Sequence, residues 1–88
     1  MQRNETTEAT LRAVLVDVLG LPAMQVAEMT PETPLFGALP EMDSMAVATL
    51  LTAFEDRLGI VIDDDDIEIE TFEHFGTLLQ LLEQKVIG

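Results

Sequence analysis

The sequence has no cysteine, no tryptophan and no tyrosine, and only four basic side chains: Arg3, Arg12, Arg57 and Lys85. Without cysteine there is no disulfide framework, no thiolate nucleophile and no cysteine-based zinc site. The one histidine, His74, excludes a histidine metal cluster and reads as an exposed residue near a helix start. Four bases against 17 acids leave a net charge of −13. The basic footprint of a nucleic-acid binder is therefore missing, and an anionic membrane surface would repel the chain. No apolar run approaches the ~20 residues of a membrane span, so no membrane insertion is expected. The opening Met1-Gln2-Arg3-Asn4-Glu5 lacks the basic and apolar regions of a secretion signal, and a cytoplasmic protein is expected.

What is present is aliphatic. Hydrophobic residues make up 48% of the chain, too many for a disordered acidic tail, and four phenylalanines are the only aromatics. At 88 residues there is room for one domain, spanning 1–88, that buries about 60% of its unfolded surface. A charge of this size keeps a small protein soluble, and it also suits partners that carry basic patches.

Helical periodicity organises the chain. Asn4 is placed to cap a first helix whose stripe is Leu11, Val14, Leu15, Val18 and Leu19, with Arg12 and Asp17 facing elsewhere. Gly20 supplies a left-handed stop and Pro22 discourages continuation. Residues 21–43 then form a long connection holding all four prolines. Thr30-Pro31 could open a single helical turn, which Pro34 would end. Val26, Met29, Leu35 and Phe36 are too apolar for a free loop and are expected to cover the core. Loops this long in compact domains are often functional.

Asp43-Ser44 ends that connection, and both residue types suit a helix start because their oxygens accept first-turn N–H groups. The helix is expected over 44–58, with Val47, Leu50, Leu51, Phe54 and Leu58 inward and Met45, Ala46, Thr49, Thr52, Glu55 and Asp56 outward. Gly59 terminates it. Ile60-Val61-Ile62 is β-branched, but a lone strand could not satisfy its backbone, so a buried extended linker is expected. Residues 63–73 contain seven carboxylates. They lack the alternating ligands and central glycine of an EF-hand loop, and read instead as a short helix with an acidic first turn, anchored by Ile67 and Ile69. Thr71 or Glu73 opens the last helix, whose stripe is Phe75, Leu78, Leu79, Leu82 and Val86. Lys85 sits near its negative end, and Leu81, off the stripe, is expected to be partly exposed.

The pattern is all-α. The turn-rich approach Thr30-Pro31-Glu32-Thr33-Pro34-Leu35-Phe36-Gly37, the motif Asp43-Ser44-Met45, and Phe54-Glu55-Asp56-Arg57-Leu58-Gly59-Ile60 followed by acids together resemble the acyl carrier protein family. The likeness covers about Leu11 to Lys85. It implies a four-helix bundle, three longer helices and one short, with a long loop between helices 1 and 2 that delivers Ser44. It implies 4'-phosphopantetheine, taken from coenzyme A by a separate phosphopantetheinyl transferase and joined to Ser44, with Asp43 presenting that serine. The arm's thiol would carry an acyl group as a thioester. Met45 would insert into partner pockets, and Glu55 and Asp56 would face basic docking patches on loading ligases and acyl-transferring enzymes. The expected product is a monomeric carrier, not an enzyme.

Two departures bear on the pathway. Met42 stands where many fatty-acid-synthesis carriers have glycine, and Ala46 and Thr49 are uncharged where acids are usual. These point to a dedicated biosynthetic pathway, and Asp-Ser-Met-Ala-Val with the aspartate run is similar to stand-alone bacterial carriers of exosortase and exopolysaccharide systems. A peptidyl or aminoacyl carrier with the same arm is an alternative, as is an acidic helical adaptor that is never modified. A Ser44–His74 hydrolase is disfavoured: no nucleophile-elbow glycines flank Ser44, and a bundle this small leaves little room for a cleft.

Overall fold

The computed structural model describes residues 3–87, and side chains within 7–86 except that of residue 64. Its α-helices are α1 (Arg3–Leu19), α2 (Ala23–Ala27), α3 (Ser44–Leu58), α4 (Ile69–Glu73) and α5 (Phe75–Ile87), with a 3₁₀ turn at Asp64–Asp66. The expected helical bundle is present, with one helix more than the sequence pattern gave. α1 packs against α3 and α5, and α4 lies along α5.

The core forms where the helical stripes meet. Leu11, Val14 and Leu15 of α1, Leu50 and Phe54 of α3, and Phe75, Leu78 and Leu82 of α5 are all essentially inaccessible. Leu21, Val26, Met29, Leu35 and Met42 from the long connection join them, so that segment is part of the core, as its apolar content required. Val18, Leu19, Val47, Leu51, Leu58 and Leu79 pack only partly against it.

Several local expectations are corrected. The first helix is already running at Arg3, so Asn4 does not stand at its cap. The connection contains α2, capped at Pro22 in extended geometry, because a proline before the first turn gives up only an N–H that would be unpaired anyway. Thr30–Thr33 closes as a turn rather than a helix, with Thr33 N donating to Thr30 O at 2.9 Å. Ile69 does not anchor the acidic segment: it is 67% exposed, and Phe72 in α4 takes the buried position. In Ile60-Val61-Ile62 only Ile62 is buried, and Val61 points outward.

Arg12, expected to face away from the apolar stripe, is drawn into the fold. Its guanidinium donates to Glu8 and to the carbonyls of Val26 and Met29, and it lies 4.6 Å from the centre of the Phe75 ring. One side chain thus bolts α1 to the first part of the connection at two carbonyls, using the planar five-donor fork that lysine lacks.

The other fastening is a short backbone pairing. Leu35 N donates to Glu73 O, Phe36 N to Phe72 O, Phe75 N to Thr33 O and Gly76 N to Pro31 O, all between 2.7 and 2.9 Å. This pairing, centred on Pro34 and His74, forces His74 into extended geometry and splits α4 from α5. Periodicity had suggested one helix from Thr71 or Glu73. Gly76 is where the connection crosses closest: a Cβ there would lie 2.8 Å from Pro31 Cβ and 2.9 Å from its carbonyl oxygen. Helix propensity alone favours alanine by about 1 kcal/mol, whereas overpacking against fixed backbone costs about 1–3 kcal/mol. Gly76→Ala should therefore lower stability in urea unfolding by roughly 1 kcal/mol. A gain in stability would show that Pro31 moves aside freely.

The acidic segment is tied to α5 by Lys85 Nζ and Asp66 Oδ2 at 2.5 Å. The Lys85 hydrogen bond, helped by the Asp63 N–H, holds the Asp66 carboxyl below its ordinary range, and Asp66 raises Lys85. Asp66's contribution is complete above its unfolded pKa and is lost as pH falls through the depressed value. Lys85's is complete below its unfolded pKa and is lost as pH rises through the raised one. The link is intact at neutral pH.

Candidate functional site

The site is built at the N-terminus of α3. Asp43 holds extended geometry, φ −110° and ψ −175°, and its Oδ1 accepts the Ala46 N–H at 2.8 Å. Its carbonyl takes the Val47 N–H at 2.9 Å. An aspartate cap satisfies a first-turn donor and places negative charge at the positive end of the helix dipole. The chain enters this cap through Met42, which is 4% exposed and so pins the residue before Asp43 in the core.

Ser44 follows as the first helical residue and is exposed. Asp-Ser offers two residues able to cap a helix, and the structure gives that task to Asp43 alone. The Ser44 hydroxyl makes no hydrogen bond to any described residue and faces solvent beside the dipole-positive end of a 15-residue helix. Such an oxygen can be esterified without breaking any bond that holds the fold. An attached phosphodiester would add its charge where helix N–H groups favour an anion.

Met45 is 80% exposed, an apolar side chain next to the free hydroxyl. Asp56 is exposed at the far end of α3. Glu55 is half-buried: its Oε2 accepts the Ile62 N–H at 2.9 Å, so it also holds the turn that follows α3. Gly59 makes that turn with φ 66°, the left-handed geometry its sequence position foretold. Asp43, Ser44 and Met45 therefore cluster at one end of α3, while Glu55 and Asp56 lie about three turns away.

Ser44 also borders a groove of about 240 Å³. Its walls are Phe36 from the connection, Val47 of α3, Ile67 and Ile69 around the start of α4, and Phe72 of α4, with Glu68 its one ionisable lining residue. Sequence reasoning did not place these side chains together. Their meeting depends on the Pro34–His74 pairing, which brings Phe36 and Phe72 side by side and has no periodic signal.

Residues 9–83 match the protein family described as the phosphopantetheine attachment site. The whole chain aligns with the whole of a holo acyl carrier protein from Nitrosomonas europaea solved in solution by NMR, at 39% identity and a TM-score of 0.83. No curated protein matches it.

Proposed function

Because the chain belongs to the phosphopantetheine-attachment family and, within it, to the acyl carrier proteins, we propose that Ser44 is its attachment residue and that its cargo is an apolar acyl group. The protein is a carrier and not an enzyme, and its prosthetic group is covalent 4'-phosphopantetheine. When bound, that group supplies a terminal thiol on which an acyl unit rides as a thioester.

The observation that carries the proposal is the exposed Ser44 hydroxyl, unbonded and set by the Asp43 cap at the tip of α3. A transferase joins Ser44 Oγ to the pantetheine-bearing phosphorus of coenzyme A. The hydroxyl proton and adenosine bisphosphate leave, and the transferase provides base and metal. The chain's own contribution is presentation. Asp43 fixes the helix start, Met42 and Arg12 fix the connection that leads to it, and the helix dipole favours the new anion.

The groove beside Ser44 favours an acyl cargo over an aminoacyl one, since its walls are apolar and burying a protonated amine among them would cost free energy. We assign the chain as a single domain, monomeric and cytoplasmic, that serves a dedicated biosynthetic pathway. Asp43, Met45, Glu55 and Asp56 form its partner-facing side, toward loading and acyl-transferring enzymes with basic patches. Neither Ala46 nor Thr49 adds charge to that side, so Met45 carries most of the contact near Ser44. Met45→Glu should lower kcat/KM for the transferase about tenfold, the size of an interface hot spot, with the thermal midpoint almost unmoved. A large fall in midpoint would place Met45 in the fold instead.

The proposal is tested by intact mass after incubation with coenzyme A, magnesium and a broad-specificity phosphopantetheinyl transferase. One phosphopantetheinyl increment is expected. A chain left unmodified by several transferases would be the acidic adaptor.

A further inference from the structure

The segment from Asp63 to Glu68 is a wall with open space on both sides. On one side Ile67 and Glu68 line the apolar groove beside Ser44. On the other, Asp65, Asp66 and Glu68 line a polar cleft of about 420 Å³ against α5, whose far wall includes Gln80 and Gln84. Among the described residues of the strip, Ile67 alone packs against the hydrophobic core, and only partly, so little fixes the remaining side chains. It is fastened at its entrance by Ile62, buried and bonded through its N–H to Glu55, and at its exit by Thr71 N donating to Glu68 O. Between those points its hydrogen bonds are internal, Asp66 N to Asp63 O and Asp63 N to Asp66 Oδ2. Among the described residues, the one polar link from the strip to α5 is Asp66–Lys85.

From this arrangement we infer that Asp66–Lys85 is a latch that sets the width of the groove beside Ser44. With the pair closed, the strip is held toward α5 and Ile67 is kept back from the groove. With the pair open, the strip is free to swing away from α5, and Ile67 narrows the groove. Asp63 and Asp65 lie close to Asp66 along the chain, with Glu68 and Glu70 following, and the chain has a single lysine, so repulsion among these carboxylates works against the closed pair. The inference rests on the reading of the groove as the cargo site. The latch itself is a property of the unloaded chain.

Amide hydrogen exchange on the unloaded full chain tests it, comparing the wild type with Lys85→Met, Asp66→Asn and the double variant. Methionine keeps the length of the lysine stem, and asparagine keeps an oxygen for the Asp63 N–H. Exchange across 63–69 should quicken about two- to fivefold in each single variant, the range for one part-exposed ion pair. Exchange in α1 and the core of α5 should stay unchanged, and the double variant should go no further than the singles. Unchanged exchange in both single variants, or a rise spread evenly over all helices, overturns the latch. A separate arm loads wild type and Lys85→Met with octanoyl and tetradecanoyl groups and follows thioester hydrolysis. The longer chain should lose protection in the variant. If neither chain is protected in the wild type relative to a free pantetheine thioester, the cargo reading of the groove fails while the exchange result still judges the latch.

Discussion

Ser44→Ala should abolish the phosphopantetheinyl mass increment and leave the thermal midpoint nearly where it was. The two halves follow from one geometry. The hydroxyl is the proposed nucleophile, so its removal leaves the transferase nothing to esterify. It also makes no hydrogen bond to the described chain, and the first-turn donor is satisfied by Asp43. Alanine is at least as good a helix residue as serine, by a few tenths of a kcal/mol, so unfolding free energy should change by less than about 0.5 kcal/mol. Persistence of a single increment in Ser44→Ala would move the attachment point elsewhere. A collapse of the midpoint would mean that the hydroxyl is structural.

The largest loss of stability should come from Phe54→Ala. Phe54 is fully buried where α3 meets the core, and truncating such a phenylalanine costs about 3–5 kcal/mol in transfer and cavity terms. A domain this small holds about 5–15 kcal/mol in total, so that single change removes a large share. At roughly 4–8 °C per kcal/mol, the midpoint should fall by more than about 12 °C. Phe54→Leu, which keeps most of the volume, should cost less than half as much. Transferase loading per folded molecule should match wild type in both variants, because Phe54 lies nearly three turns from Ser44 and is buried in the core. A drop in loading at full folding would reveal coupling between the core and the helix tip.

The sequence announced those features that are local. The extent of α3, its end at Gly59 and the Asp43 cap each follow from residue chemistry within a few positions of where it acts. So does the stop at Gly20. What it hid depends on partners far along the chain. Arg12 sits among apolar neighbours at a position off the apolar stripe, and its partners, the carbonyls of Val26 and Met29, carry no side-chain signature. The break at His74 interrupts a continuous helical pattern because backbone groups at 33–36 claim those at 72–75. The groove beside Ser44 inherits that blindness, since two of its walls are brought together by the same pairing. α2 escaped because its five residues are too few for a period to register.

That pairing also sets a schedule for synthesis. The partners of Thr33, Leu35 and Phe36 lie some forty residues downstream, so a ribosome that has finished α3 has produced a serine whose supporting strap is still unlaced. Only after the segment around Phe75 clears the exit tunnel can the strap close. A nascent chain therefore presents a fully supported serine to its modifying enzyme only once that segment has emerged.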